Sequence, residues 1–337
     1  MTLPPVLRLD DPARGVSLAL TGGAAPKLDV AARSERNGVV ATVTVDLSGD
    51  PDLASGLSAL LSNPATATAG EREFIVQNLT RRAEVGFGPP AVVLRRLAAW
   101  LVTSREDTNF TYDLTPLNMT QLAHFLAAVT GRSAAEMRGL LDEPGQDATL
   151  IGHVQTCYDR SDPALKARAD RVPRFGRRLG WYALARHLKP RLIVETGVDK
   201  GLGAVLMCAA LRRNAEEGSV GRYLGADLRA DAGYLVSGAY QDLGKIAVGD
   251  SVKILATLDG PIDLFINDSD HNPDYEDREY GLIEDKLSPD ALILSDNSHA
   301  TDRLARFAEH TGRKFLFFRE QPARHWYAGA GIGVAFR

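Results

Sequence analysis

The chain has 337 residues, with 39 Lys and Arg against 43 Asp and Glu and a formal net charge of -4. That balance, with no run of basic residues, excludes the electrostatic footprint of a nucleic-acid-binding protein. Hydrophobic residues at 45% and charged residues at 24% are the proportions of a soluble globular protein; the length favours two structural units, and no stretch approaches the roughly 18 apolar residues of a membrane span.

Met1-Thr2-Leu3-Pro4-Pro5 lacks the basic start and apolar run of a signal peptide, so a cytoplasmic protein is expected. Cys157 and Cys208 are isolated in sequence, which leaves neither a disulfide framework nor a CxxC site; both are expected to be buried thiols. In chain order, the runs Val16 to Leu20 and Val39 to Leu47 alternate apolar and Thr residues, predicting a small β element. From 51 to 158 the spacing turns helical, as in Phe74, Val76 and Leu79 and again in Val93, Leu94, Leu97 and Leu101. A helix start falls at Asn118 to Leu122 and a stop at Gly131.

Ser161-Asp162-Pro163 and the charged stretch to Pro173 mark the division, because Pro disfavours helix continuation and the charges need solvent. Residues 1–165 are therefore expected to form a mostly helical N-terminal domain, a substrate lid or oligomerisation element, and residues 166–337 a catalytic domain. After a helix at Arg177 to Leu188, seven apolar runs follow: Leu192 to Val194, Tyr223 to Ala226, Ile246 to Val248, Leu264 to Ile266, Leu292 to Leu294, Phe315 to Phe318 and Ile332 to Phe336. Continuous apolar strands alternating with amphipathic segments predict an α/β fold, a doubly wound Rossmann-like sheet covered on both faces. The connection at Ala328 to Gly331 is too short for a helical crossover, so the last strand is predicted antiparallel. Gly329, Gly331 and Gly333 shape that hairpin and edge rather than a phosphate site.

The first of these strands runs into Glu195-Thr196-Gly197-Val198-Asp199-Lys200-Gly201-Leu202-Gly203. Gly197 and Gly201 permit a sharp turn and a close approach to a ligand. A nicotinamide dinucleotide needs Gly-x-Gly-x-x-Gly to seat its pyrophosphate; here the spacing is Gly-x-x-x-Gly-x-Gly, and the Glu195 carboxylate repels pyrophosphate and suits a cationic ligand. Asp227 closes the second strand, where a carboxylate accepts both hydroxyls of an adenosine ribose. Asp250 and Ser251 close the third and face an adenine edge, so three acids line one crevice at the C-terminal edge of the sheet.

On Glu195-Thr196-Gly197 with Gly201, then Asp227, then Asp250, the sequence resembles the class I methyltransferase family, and the seven strands with an antiparallel last one agree with it. The resemblance implies S-adenosylmethionine as cofactor. On the next two strand ends, Asp268 and the pair Asp296-Asn297 offer hard oxygen ligands suited to Mg²⁺. They match the metal positions of catechol-type and caffeoyl-coenzyme-A-type O-methyltransferases. The Asp268 to His271 spacing resembles metal-dependent methyltransferases of macrolide sugars, in which the His is the base. The resemblance covers only the catalytic half, and the chain departs from the catechol-type pattern in having no Lys beside Asp268 and in its large N-terminal region. The competing structural reading makes Asp268 and Asp270 loop caps and Asn297 a helix N-cap.

His271, with Asp268, is the expected catalytic pair, since a neutral imidazole can take a hydroxyl proton near neutral pH; His299 and His325 compete for the role. Tyr275, Glu276, Glu279, Tyr280 and the segment Arg324 to Tyr327 line an acceptor pocket or else pack as ordinary helix and plug residues. The expected activity is O-methylation of a natural-product hydroxyl, assisted by magnesium. Alternatives are carboxyl methylation of a peptide C-terminus, which needs no base, and a non-catalytic cofactor-fold module that binds a protein partner. Expected partners are thus a small-molecule or peptide acceptor and a second copy of the chain, with no nucleic acid and no membrane.

Overall fold

The computed structural model describes residues 6–11, 16–21, 26–33, 40–46, 55, 58 and 111–337, apart from 167–168, 271, 297, 324, 326 and 328. The chain forms two compact units, Met1–Arg95 and Arg96–Arg337. Among the described residues no helix is long and apolar enough to cross a membrane.

The first unit holds an antiparallel meander of four strands, β1 (Val6–Asp11), β2 (Val16–Thr21), β3 (Lys27–Arg33) and β4 (Val40–Asp46), in the order β1-β2-β3-β4. The sequence pattern predicts β2 and β4. It misses β1 and β3, whose runs VLRLDD and KLDVAAR carry charges that interrupt the apolar alternation. The helical spacing read at Phe74 to Leu101 lies outside the described residues.

The second unit opens with three helices, α1 (Pro116–Thr130), α2 (Ala134–Gln146) and α3 (Ala148–Arg160). Thr115 caps α1 through its side chain, Pro116 suits the first turn, and Gly131 ends the helix in the left-handed conformation at φ 68°. Ser133 and Glu136 form a reciprocal capping box on α2. These helices lie in the compact unit that begins at Arg96, whereas the sequence pattern breaks near 165. Leu122, Leu126, Leu141 and Leu150 are buried in one apolar cluster with Trp181, Tyr182 and the sheet, so the units divide between Arg95 and Arg96. Asn118 ties α1 to the sheet edge, its side chain donating to the Arg319 carbonyl at 3.0 Å and accepting from the Gln321 N–H at 2.8 Å.

Next come α4 (Arg178–Leu188), β5 (Leu192–Thr196), α5 (Leu202–Glu216), β6 (Arg222–Asp227), β7 (Gly244–Val248), α6 (Ser251–Ala256) and β8 (Ile262–Asn267). The unit closes with α7 (Pro273–Ile283), β9 (Leu287–Ser295), α8 (Arg303–His310), β10 (Lys314–Arg319) and β11 (Gly331–Phe336). The seven strands stand in the order β10-β11-β9-β8-β5-β6-β7, with β11 antiparallel to both neighbours. Period-two side-chain alternation sends Ile193, Leu264, Leu294 and Val334 into the core shared with α1, α4 and α5. Val194, Phe265, Ile293 and Ala335 pack on the opposite face against Tyr280, Leu304 and Phe307. The continuous apolar run Leu202 to Leu211 is buried on every side, as an all-round hydrophobic helix must be.

From β5 the chain winds outward to β6 and β7, then returns to the other side of β5 to form β8. That reversal opens a crevice beyond the strand ends, the place where open α/β sheets take their ligands. Of the two cysteines, Cys208 is buried as expected, whereas Cys157 is half-buried on α3 with His153 Nε2 and Ser237 Oγ each 3.4 Å from its sulfur.

Candidate active site

The β5 turn is built by two glycines with different duties. Gly197 has φ 83°, and a Cβ on it would lie 1.9 Å from the Asp268 carbonyl oxygen, so backbone from the end of β8 passes where any side chain would be. Gly201, at φ 92°, caps α5 and presses on Gly233, whose Cα would be 2.8 Å from an added Cβ. It holds two loops together and does not line the crevice.

The crevice is a cleft of about 610 Å³ bordered by Gly197, Asp199, Asp227, Leu228, Asp250, Ser251, Asp268, Asp270 and Tyr275, among others. Four of the sequence-predicted cofactor residues, Gly197, Asp227, Asp250 and Ser251, therefore meet on one wall. Asp227 accepts the backbone N–H groups of Asp199 and Arg229, each at 2.8 Å, which fixes its carboxylate at the cleft mouth. Asp250 caps α6 through the Val252 N–H and accepts the Tyr275 hydroxyl at 2.9 Å, a bond that holds its carboxyl below the usual range. Ser251 donates inward to Glu279, a buried carboxylate that also accepts from Thr196, Asn267 and Ser269 and locks three strand ends together.

A smaller cavity of about 110 Å³ adjoins the cleft, sharing Asp199 and Asp268 with it; its wall also includes Thr111, Arg178, Glu195 and Lys200. Glu195 thus lines this cavity and not the cleft. It is 1% exposed and accepts the Tyr223 hydroxyl at 2.8 Å. Burial pushes its carboxyl up from the ordinary 4.5 to about 7. An acid with a raised pKa binds its proton more tightly folded than unfolded, so its contribution favours the fold at low pH and is lost as pH climbs from 4.5 through 7. Denaturant melts of the ligand-free protein should show this group removing about 3 kcal/mol of stability across that window. Glu195→Gln should flatten the slope; a slope that the substitution leaves unchanged would contradict the assignment.

On the next strand ends, Asp268 and Asp296 are buried neighbours whose carboxyls shift each other. Arg177 lies across Asp296, its Nε donating to one carboxylate oxygen and Nη2 to the other. Its charge keeps the Asp296 carboxyl low, while burial and the Asp296 charge raise that of Asp268. Arg178 stands 3.7 Å from Asp268. The donors expected for Mg²⁺ do not fit that ion here, because a guanidinium already takes both Asp296 oxygens. Among the described residues no group of three His, Cys, Asp or Glu side chains suits a metal. His271 and Asn297 lie outside the described residues.

His299 is exposed on the turn after β9. His325 is 2% exposed, accepts the Tyr327 N–H on Nδ1 at 3.0 Å and packs 5.0 Å from the Tyr112 ring, which gives it a structural setting. Of the helical residues flagged for an acceptor pocket, Tyr275 lines the cleft, whereas Glu276, Glu279 and Tyr280 are buried, Tyr280 stacking on Phe307. Sequence reasoning missed Arg177, Arg178 and Glu320. The signal available was the pair Arg177-Arg178 opening an apolar helix that feeds the acid-tipped first strand. The segment around Tyr112 is anchored within the second unit. Thr111 donates to Asp170 from both its N–H and its hydroxyl, each at 2.7 Å, and Tyr112 donates to Glu320 at 2.7 Å.

A doubly wound sheet with an antiparallel β11 and an acid-lined cleft at its switch point defines the class of fold, an open α/β sheet that takes a ligand at its strand ends. Residues 194–298 match the family described as a methyltransferase domain. Among solved structures, the O-methyltransferase TomG from Streptomyces achromogenes, involved in tomaymycin synthesis and solved with S-adenosylmethionine, is similar at 22% identity over 56% of this chain and 89% of that one, with a TM-score of 0.40. Cofactor-bound Rv0187 from MTB is similar at 19% identity over 56% and 90%, TM-score 0.41. The O-methyltransferase from Bacillus cereus in complex with S-adenosylhomocysteine is similar at 15% over 65% and 97%, TM-score 0.37. No curated protein sequence matches the chain.

Proposed function

We propose that the chain transfers the methyl group of S-adenosylmethionine to a hydroxyl oxygen of a small natural-product acceptor, with His271 as general base. The observation that carries this reading is the pairing of a 610 Å³ cleft, tipped by Asp227 and Asp250, with a 110 Å³ cavity of mixed charge. The first suits an adenosine and the second a zwitterionic amino-acid end.

When bound, S-adenosylmethionine supplies an electrophilic sulfonium methyl. Asp227 offers its remaining lone pairs to the ribose hydroxyls, and Asp250, Ser251 and Tyr275 border the adenine end. Arg178 and Lys200 carry the charge that suits a carboxylate, and Glu195 and Asp268 the oxygens that suit an ammonium. Gly197 lets the turn pass close to the ligand without a Cβ. These residues act chiefly by fixing position, which supplies most of the acceleration in a displacement of this kind. His271 stands in the chain between Asp270, which lines the cleft, and Asn272, which caps α7, so it is the imidazole nearest in sequence to the reacting end. It takes the hydroxyl proton as the oxygen attacks. No step runs through a divalent ion.

With tritiated S-adenosylmethionine and a panel of phenolic and sugar hydroxyls, His271→Ala should lower kcat by about 100-fold or more while leaving S-adenosylhomocysteine affinity unchanged. Unchanged turnover in the variant would remove His271 from the chemistry, and labelling of carboxyl acceptors alone would move the reaction to the peptide or acid class.

A further inference from the structure

The residues that offer oxygen ligands at the ends of β8 and β9 already hold a cation of their own. Arg177 is 8% exposed and is bound on every side. Two of its nitrogens engage the two oxygens of Asp296 as a fork, and the third donates to the Tyr112 hydroxyl and to Glu320 Oε1, the latter at 3.0 Å. Tyr112 closes the ring by donating to Glu320 Oε2 at 2.7 Å, and the Ala330 N–H donates to Glu320 Oε1 at 2.8 Å. A planar fork matched to a carboxylate and enclosed by hydrogen-bond partners is the arrangement in which a buried guanidinium is most strongly held. Arg178, 3.7 Å from Asp268, adds a second positive charge beside the acid pair.

We propose that Arg177 fills the position that a divalent ion would otherwise take between Asp268 and Asp296, so that this site binds no divalent metal and methyl transfer proceeds without one. Seating an ion there requires the guanidinium to leave Asp296. It would then be a buried charge with Glu320 alone as its acidic partner, and breaking a buried ion pair is strongly unfavourable because it leaves a charge uncompensated. The incoming dication would also meet Arg178 beside Asp268. Arg177 is on this account a positioning residue. It fixes Asp296, and through Asp296 the Asp268 side chain that borders both the cleft and the small cavity. Metal-free turnover rests on the proposed methyl transfer; exclusion of the ion from the acid pair does not.

The test begins with chelator-dialysed full-length protein titrated with Mn²⁺, free ion being read by electron paramagnetic resonance, for the native chain, Asp268→Asn and Arg177→Met. The expected result is no Asp268-dependent Mn²⁺ binding in the native chain, and no change in its Tm or in its S-adenosylhomocysteine affinity on adding Mg²⁺ or EDTA. Arg177→Met keeps the stem but bares Asp296, and it should acquire Mn²⁺ binding and regain thermal stability when the ion is added. Stoichiometric Mn²⁺ binding to the native chain, lost in Asp268→Asn, would overturn the proposal whether or not the Arg177 variant folds. Loss of labelled-methyl transfer on EDTA treatment, restored by Mg²⁺, would overturn it as well. Failure of the native chain to bind S-adenosylhomocysteine at all would instead sink the methyltransferase reading and leave the metal result standing by itself.

Discussion

Asp227→Ala should weaken binding of S-adenosylmethionine by at least about 100-fold, because a charge-assisted hydrogen bond contributes about 1.5–3 kcal/mol and a ribose presents two hydroxyls to this carboxylate. The carboxylate is preorganised to receive them, since the Asp199 and Arg229 N–H groups, each at 2.8 Å, fix both oxygens before any ligand arrives. The variant also frees those two N–H groups, so a looser turn contributes part of the loss. Comparing adenosine with 2′-deoxyadenosine separates the two causes. The native chain should prefer adenosine, and Asp227→Ala should bind both equally weakly. Retained discrimination in the variant would show that another group reads the ribose.

Gly197→Ala should be the most damaging single-methyl change in the second unit. Its φ of 83° already disfavours a side chain, and the new Cβ would sit 1.9 Å from the Asp268 carbonyl oxygen and 2.7 Å from the Ser269 Cα. These are backbone atoms at the end of a central strand, and the Asp268 N–H is itself bonded to the Thr196 carbonyl at 2.9 Å, so neither partner can move alone. A loss of about 3 kcal/mol or more in unfolding free energy is expected, with cofactor affinity lost alongside. Gly281, where an added Cβ meets nothing within 4 Å, is the control, and Gly281→Ala should be nearly neutral. Equal stability of the two variants by denaturant titration would contradict the close approach.

Much of this site was legible in the sequence because strand ends announce themselves. Asp227 and Asp250 each follow an apolar run, and the alternation of such runs with amphipathic segments dictates a covered parallel sheet whose C-terminal edge collects them. The antiparallel β11 was equally readable, since a short Gly-rich link from Ala328 cannot cross over a sheet. What stayed hidden depends on contacts distant in sequence. Arg177 meets Asp296 and Glu320 across 119 and 143 positions, and no local pattern marks an arginine as the occupant of a carboxylate pair. Glu195 was read as a contact for a cationic ligand, and its near-complete burial beneath Gly203 could not be seen from spacing. The compact units divide between Arg95 and Arg96, whereas the sequence pattern breaks near 165, for a similar reason. The helix before Pro163 does end, at Arg160, but α1 to α3 pack on the sheet's own core, and burial rather than a break in pattern decides what forms a unit.

Calorimetric titration of the full chain with S-adenosylmethionine tests the central claim most directly. One saturable site per chain, displaced by S-adenosylhomocysteine, weakened in Asp227→Ala and indifferent to NADH, is the predicted result. No saturable binding of either compound to the folded protein would contradict the assignment of the cleft.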